Sequence, residues 1–381
     1  MRIAFITNFV QHYRVGVYEE LSRLQSVDFI FDSRGSEWYW PKTLGTSKGE
    51  FRSIQLGNIG TGKFRIPLQL PYLLWSRKYD AVIKGIAGRA SIFLSFVTCK
   101  VLKIPFVLYS GLWGKVNTRF HRFAFPIVRF IYRHSDSHIV YGNHVRDFLL
   151  SQGVKGDSIF IARNSVDNDT YSRAITEKEY TDARSAFPSA PIRLLYVGRL
   201  TPDKGLNYLI QSLSNPIARD AGLLIIGTGE ELEAIKSQCN DIKEADRVRF
   251  IGHVPTKNLP PYYAAASALV LPSIITDRFR EPWGLVINEA FNQGCPVITT
   301  TSVGAAADGF VRDGSNGFVV AERDSAALAT AIGRLGSEEL RLSLGARARR
   351  DVARCTHHQM ALACNDAVLY AVAARGKKHL I

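Results

Sequence analysis

Cysteine is scarce in this chain and shows no pairing pattern. There are five, Cys99, Cys239, Cys295, Cys355 and Cys364, an odd number with no Cys-x-x-Cys spacing. That argues against a disulfide framework or a zinc site and suits a reducing compartment. Long apolar runs are also missing. The opening Met-Arg-Ile-Ala-Phe-Ile-Thr-Asn is too short a run for a signal peptide and reads as a first buried strand. The most apolar region, Ile92 to Tyr109, is broken by Lys100, Lys103 and Pro105, so it reads as helix, turn and strand rather than a membrane span. A cytoplasmic location is expected, with the inner face of the plasma membrane as a surface to sit on. Acidic residues are short in one half only. Residues 1–165 hold 23 Lys and Arg against 10 Asp and Glu, whereas 166–381 hold 25 against 24, within a formal charge of +14. A field of that sign attracts anionic lipid, nucleic acid or a diphosphate-bearing substrate, and also keeps a protein soluble without any partner. No nucleic-acid motif accompanies it, so nucleic acid is not expected as a partner.

What is present is globular. A chain of 381 residues, 46% apolar and 22% charged, is too long for one core, which makes two domains the default. Strands and helices alternate throughout, the pattern of parallel sheets wrapped by helices. In the first half, strands Ile3–Thr7, Val27–Asp32, Asp80–Lys84, Phe106–Tyr109 and His138–Tyr141 interleave with helices such as Pro67–Arg77, Ser91–Leu102 and Phe120–Arg133. Residues 33–65, with Trp38-Tyr39-Trp40, read as loop with short strands. The second half repeats the plan from strand Ile192–Val197 onward, without a sequence repeat. The expected division is one domain over 1–165, a linker over 166–190, a second domain over 191–354, and a closing helix over 355–381.

The most informative segment is Glu281-Pro-Trp-Gly-Leu-Val-Ile-Asn-Glu289, two carboxylates with seven residues between them. Gly284 and Leu285 read as the mouth of a helix running to Gln293 and stopping at Gly294, and 295–300 as the next strand. A helix mouth offers unpaired N–H groups and a positive dipole end to phosphate. Taken alone, two such Glu are ordinary surface charges. A second segment changes that. Strand 194–197 ends in Gly198-Arg199-Leu200-Thr201-Pro202-Asp203-Lys204-Gly205, and ligands of open α/β sheets sit beyond strand C-termini. Arg199 offers a planar donor fork and Lys204 a mobile point charge, both suited to a diphosphate. Gly227-Thr228-Gly229-Glu230 repeats the strand-end position and is by itself a weak glycine-rich turn.

In this order, with Leu271-Pro272-Ser273, Ala290, Gly304 and the run Asp313–Val320, these segments resemble the nucleotide-sugar half of retaining family 4 glycosyltransferases. The resemblance covers about residues 190–320. It implies an α/β chain of the GT-B fold, two doubly wound Rossmann-like domains facing across a cleft, the first on the acceptor side and the second binding the nucleotide-sugar, with the closing helix packing back on the first. It further implies that Arg199 and Lys204 hold the donor diphosphate, that Glu289 bonds the ribose and Glu281 the donor sugar, and that main chain around Gly284, Leu285 and Val286 caps phosphate and sugar. Gly198, Gly227 and Ser273 line the donor site, and His253 and Val254, after Gly252, meet the nucleobase. Arg199, Lys204 and Glu281 are then the catalytic set. No cofactor and no metal are implied, the nucleoside-diphosphate sugar being a substrate. Asp167-Asn168-Asp169 lies in the expected linker and reads as a turn.

The first half resembles the family less closely. Thr7–Arg14 looks like the opening loop of a bacterial polysaccharide-type subgroup with a Pro-His-Tyr-Arg signature, with Gln11 in place of Pro. His12 and Arg14 there read either as acceptor or phosphate contacts or as a structural loop. Many family members carry a His in the stretch matching Leu108–Gly114; this chain has none, leaving Gly111 and Trp113 as acceptor-side candidates beside Asn143. His121 and His144 read as surface or helix residues. Residues 113–133 interleave Lys115, Arg119, Arg122, Arg129 and Arg133 with aromatics, a helix suited to a membrane surface or to packing its Phe face on the core, with Pro126 expected to kink it. The function implied is sugar transfer with retention to a glycan or lipid-linked acceptor, in cell-surface polysaccharide biosynthesis, at an anionic membrane surface. The alternatives are a sugar-nucleotide epimerase or hydrolase on the same fold, and a non-catalytic membrane-associated scaffold.

Overall fold

The structure is a computed structural model that describes all residues except 36–48, 59–65, 115–117, 242–244, 278 and 379–381. Trp38-Tyr39-Trp40 and Lys115 lie outside the described residues. The chain divides into two compact units, Met1–Asn164 with His357–Ile381, and Ser165–Thr356.

Unit 1 carries strands β1 (Arg2–Thr7), β2 (Ser26–Phe31), β3 (Arg52–Gln55), β4 (Ala81–Gly85), β5 (Phe106–Ser110), β6 (Ser137–Val140) and β7 (Ile159–Ile161). Its helices are α1 (Val15–Leu24), α2 (Gln69–Arg77), α3 (Arg89–Val101), α4 (Arg119–His134) and α5 (Asn143–Ser151). The strands form one parallel sheet in the order β3-β2-β1-β4-β5-β6-β7. The central strands are apolar and buried on both faces, as a helix-covered parallel sheet requires. Leu70 and Leu74 of α2, Phe96 and Cys99 of α3, Ile131 of α4 and Leu149 of α5 pack on one face, with Val17, Tyr18 and Leu21 of α1 on the other. Helix α4 runs through Pro126 without ending.

Unit 2 carries strands β8 (Ile192–Val197), β9 (Ala221–Ile226), β10 (Val248–Gly252), β11 (Ala268–Leu271), β12 (Val297–Thr300) and β13 (Gly317–Val320). Their parallel order is β10-β9-β8-β11-β12-β13. The helices are α6 (Asn168–Ser172), α7 (Glu177–Ser185), α8 (Leu206–Leu213), α9 (Leu232–Asp241), α10 (Pro260–Ala265), α11 (Leu285–Asn292), α12 (Gly304–Ala307), α13 (Ser325–Arg334) and α14 (Glu338–Val352). Residues 166–190, expected as a linker, hold α6 and α7 instead and fall within unit 2. Polar caps rather than apolar periodicity define these two helices. Asp167 caps α6, so Asp167-Asn168-Asp169, expected as a turn, is instead the cap and start of a short helix, and Thr176 with Glu179 forms a capping box on α7.

The last helix, α15 (His357–Lys378), returns to unit 1. Its buried face is small: Ala361, Cys364, Ala367 and Ala371 lie with Met360 and Val368 against the core that α1 also covers. A Cβ on Gly16 of α1 would stand 2.2 Å from the His357 ring, so the helices meet closely there. Asp136 clasps the far end, with Arg375 Nε and Lys100 Nζ each 3.2 Å from its carboxylate.

Candidate active site

In unit 2 the strand order reverses between β8 and β11, and a crevice at such a switch point is where open α/β sheets bind ligands. The loops that flank it hold the residues singled out above. After β8, Gly198 and Arg199 lead to Asp203, Lys204 and Gly205. After β11 come Pro272, Ser273, Glu281 and the mouth of α11.

Main-chain packing fixes these loops. A Cβ on Gly227 would lie 1.8 Å from the carbonyl oxygen of Gly198, so the turns after β8 and β9 touch backbone to backbone and exclude any side chain. The Gly198 N–H donates to Ile226 O at 3.0 Å, and the Gly227 N–H to Gly252 O at 2.7 Å. The second bond ties in the segment that carries exposed His253 and half-buried Val254. Across the switch, the Ile274 N–H donates to Asp203 O at 2.9 Å. Gly284, with φ of 93°, caps α11; a Cβ there would meet Leu271 at 2.7 Å. The Glu281 carbonyl accepts from Gly304 N–H at 3.1 Å, and the Trp283 carbonyl from Ala305 N–H at 2.9 Å. The Trp283 ring is buried and donates to Asn288 at 2.8 Å. The stretch before α11 is thus held at both edges.

The side chains divide by charge. Lys204 and Glu281, each 9% exposed, form a buried hydrogen-bonded ion pair. Asp203 Oδ2 lies 3.6 Å from the same ammonium, and the Phe279 ring centroid 5.4 Å. Arg199 is half-buried; its carbonyl accepts from the Tyr196 hydroxyl at 2.6 Å. Two carboxylates therefore balance the two cations, and the surplus positive potential at the crevice comes from the mouth of α11. Ser273 is fully buried, with a hydroxyl that finds no hydrogen-bond partner among the described residues. Half-buried Leu285 and Val286 supply the first turn of α11.

Glu289, also on α11, is held by two phenols that sequence reasoning did not single out. The Tyr263 hydroxyl of α10 donates to its carboxylate at 2.6 Å, and Tyr171 of α6 is its second hydrogen-bond partner. Burial pushes the carboxyl up to about 7, against the pull of both tyrosines. No local signal marks Tyr171, which sits in the stretch expected as a linker; the paired tyrosines after Pro260-Pro261 are the nearest hint of Tyr263.

Unit 1 treats its candidates differently. His12 is exposed, whereas Arg14 is buried, its guanidinium stacked on Tyr13, Tyr109 and Tyr141 at 5.3, 5.6 and 5.3 Å from the ring centroids. It donates to the Tyr141 hydroxyl at 2.8 Å and to Met360 Sδ of α15 at 3.5 Å. Of the two readings of this loop, burial favours the structural one for Arg14. Gly111 is covered by the Tyr141 ring, which a Cβ would meet at 2.2 Å. Trp113 meets His144 edge-on at 5.1 Å. His144, expected as a surface or helix residue, is a buried residue of α5, and Asn143 opens that helix.

The family model described as Glycosyl transferases group 1 matches residues 191–338. The chain is 28% identical over 268 residues to a glycogen synthase of Mycobacterium tuberculosis, covering 70% of this chain and 61% of that one. It is 32% identical over 178 residues to a GDP-mannose-dependent alpha-(1-6)-phosphatidylinositol monomannoside mannosyltransferase of Mycolicibacterium smegmatis, covering 45% of each. The chain thus spans less than two thirds of the length of these curated relatives. Among solved structures, Anabaena Alr3699/HepE in complex with UDP superimposes with a TM-score of 0.75 at 16% identity, over 96% of this chain and 99% of that one. Residues 191–338 thus match a glycosyl transferases group 1 domain, and the chain that carries them has the GT-B fold.

Proposed function

We propose that this protein is a retaining glycosyltransferase that moves a sugar from a nucleoside-diphosphate sugar to a glycan or lipid-linked acceptor. The observation that carries the reading is the Lys204–Glu281 pair, buried at the switch point beside Arg199 and the mouth of α11. When the bond between the anomeric carbon and the diphosphate oxygen breaks, negative charge grows on the leaving group. A preorganised guanidinium, an ammonium and helix N–H groups stabilise that charge more in the transition state than in the ground state. No metal is needed for that task in this reading. Glu281, oriented by Lys204, faces the donor sugar; Glu289 accepts from the ribose hydroxyls; the main chain around Gly252, His253 and Val254 meets the base. Retention follows from front-face attack, the acceptor oxygen bonding to the anomeric carbon while its proton passes to the departing phosphate oxygen.

The relatives support this reading by their names, one a GDP-mannose-dependent mannosyltransferase and one structural neighbour bound to UDP. UDP and GDP are therefore the first donors to test, and cell-surface polysaccharide assembly is the proposed setting. The enzyme would work in the cytoplasm, peripheral on the inner face of the plasma membrane.

The test is a thermal-shift panel of UDP, GDP, ADP and dTDP against wild type and Glu289→Ala, each protein referred to its own unliganded midpoint. A ligand at a hundredfold excess over its Kd stabilises by about 2.7 kcal/mol. One nucleotide should shift the wild type and leave the variant unmoved. No shift with any of the four would sink the donor-site reading. The chosen nucleotide's sugar conjugates are then assayed for transfer and for the anomeric configuration of the product.

A further inference from the structure

We propose that the outward faces of α2, α3 and α4 form one docking surface for an anionic lipid bilayer. The inference deepens the membrane part of the function proposed above by giving it a location on unit 1. Helices that cover a sheet turn apolar residues inward and polar ones outward. These three do the first and not the second. Leu68, Tyr72 and Trp75 follow one another at i, i+4 and i+7 on the outside of α2 and its first turn. Phe93, Val97 and Val101 do so at i, i+4 and i+8 on α3, and Phe123, Ile127 and Phe130 at i, i+4 and i+7 on α4. All nine are exposed, Phe123 to 86%, Val101 to 74% and Tyr72 to 68%. These spacings make each set a stripe along its helix.

The stripes are neighbours. Tyr72 and Trp75, their ring centroids 6.0 Å apart, line with Val97 and Val101 an open groove of about 360 Å³ between α2 and α3. Phe96 of α3 meets Phe130 of α4 at 6.1 Å. The three helices therefore present one apolar surface, larger in character than the scattered apolar residues of an ordinary monomer.

Charge identifies the occupant. From Ile66 to His134 the sequence holds eleven Lys and Arg and one acidic residue, Asp80; of these, Lys84 is buried, and Lys100 and Arg77 pair with Asp136 and Asp28. Lys78 and Lys103, both exposed, sit in left-handed conformations (φ 49° and 57°) just past the ends of α2 and α3, positions where glycine is the usual residue. Arg122 and Arg129 are exposed along α4. Aromatic and aliphatic side chains framed by cations match the headgroup boundary of an anionic leaflet, which takes up both. A second copy of the chain fits poorly, because a twofold contact would set the same cations against each other. Among the described residues no helix is long and apolar enough to cross a membrane, so the contact is with the surface.

The experiment is co-sedimentation of the full chain with vesicles of phosphatidylcholine alone and of phosphatidylcholine mixed equally with phosphatidylglycerol, without donor or acceptor. Binding should be at least about tenfold stronger to the mixed vesicles and should weaken with added salt. The double variant Trp75→Ser, Phe123→Ser should lose about tenfold in binding with an unchanged thermal midpoint, since neither side chain supports the core. Arg122→Glu should reduce binding to the mixed vesicles and leave the phosphatidylcholine control unchanged. Equal binding to both vesicle types, or a double variant that binds like wild type, overturns the proposal. So does a concentration-dependent dimer in light scattering that the double variant abolishes, which would make this a self-association face. Because no step uses nucleotide, failure here leaves the donor-site reading standing, and failure of the nucleotide panel leaves this one.

Discussion

Unit 1 and unit 2 each lay helices on a parallel sheet whose strand order reverses once, yet they place their cations differently. In unit 2, Lys204 is buried in an ion pair at the switch point and Arg199 stays half-buried beside it. In unit 1, Arg14, from the loop after the switch-point strand β1, is turned inward among tyrosines. The basic surplus of unit 1 lies instead along helices with apolar outer faces, while unit 2 exposes few large apolar side chains, Ile217, Ile251 and Leu342 among the described residues. One plan thus serves two tasks. Unit 2 concentrates charge where its loops converge, and unit 1 spreads charge over a face.

The largest effect should come from Lys204→Ala. It leaves Glu281 and Asp203 facing each other without their cation, and breaking a buried pair in this way costs about 3 kcal/mol of stability. Transfer to acceptor should fall by about 10²–10³-fold, the usual loss on removing a group that stabilises transition-state charge. If unit 1 uses its loop cation only structurally, Arg14→Ala should leave nucleotide affinity unchanged. A loss of nucleotide binding in Arg14→Ala, measured on folded protein, would break the contrast.

Gly227→Ala comes next. Its Cβ would sit 1.8 Å from Gly198 O, so the turns after β8 and β9 must separate, and the residue must keep a φ of 149°. A loss of about 3 kcal/mol is expected in urea unfolding. An alanine tolerated without loss would show that close backbone packing is not what defines the proposed donor side.

The contrast also governs what the sequence disclosed. The loops at the switch point of unit 2 were legible because their chemistry is local: strand, glycine turn, cation and helix mouth are consecutive. Glu289's tyrosines were not, since Tyr171 and Tyr263 lie far from it in the chain and in segments without periodicity. The burial of Arg14 depends on Tyr109, Tyr141 and Met360, and no short window contains all of them. The stripe on α4 was visible as a helix with aromatic and basic residues. The stripe on α3 was not, because Ile92, Phe93, Leu94, Phe96 and Val97 are apolar all round, and only packing decides which of them face the sheet.

Arg14→Ala should itself destabilise unit 1 by about 2 kcal/mol, combining a cavity with the loss of cation–π contacts. Burial works against the Arg14 charge, but the surrounding tyrosines, Tyr109 and Tyr141 foremost, outweigh it and hold the guanidinium above its usual range. Arg14→Lys should recover only part of the loss, because an ammonium lacks the planar face that stacks on the rings. Full recovery with Lys would mean that charge alone matters there.

A pH series separates the units by sign. Glu289 titrates near 4.5 in its ordinary setting and is pushed up to about 7 in the fold. Between those values the folded state keeps a proton that the unfolded chain has lost, so this group's contribution to stability falls as pH rises from about 4.5 to about 7. Glu289→Gln, neutral throughout, should remove that slope, a difference of about 3 kcal/mol. Nucleotide affinity should run the other way in the wild type, rising as pH passes 7 and the carboxylate becomes a full acceptor. In unit 1, burial would raise Asp28, but the Tyr79 hydroxyl at 2.8 Å and Arg2 at 3.1 Å outweigh it and hold the carboxyl below its usual 3.8. Its contribution is present above 3.8 and is lost as pH falls below it. Asp28→Asn should therefore flatten the acid limb, whereas Glu289→Gln flattens the slope toward neutrality.

The smallest effect concerns helix ends. In unit 2, side chains cap α6, α7, α13 and α14 but not α8, α10, α11 or α12, whereas α1, α2, α3 and α5 of unit 1 all begin without a side-chain cap. Asp324 accepts from Ala327 N–H at 2.8 Å at the start of α13, so Asp324→Ala should cost about 1 kcal/mol in urea unfolding. Helices that lack such caps depend on tertiary packing for their ends. α2 and α3 should then show faster amide hydrogen exchange in their first turns than α13 does, and vesicles should slow it if those helices dock on lipid. Equal exchange in all three would mean that capping and packing hold helix ends to the same degree, and this part of the contrast would disappear.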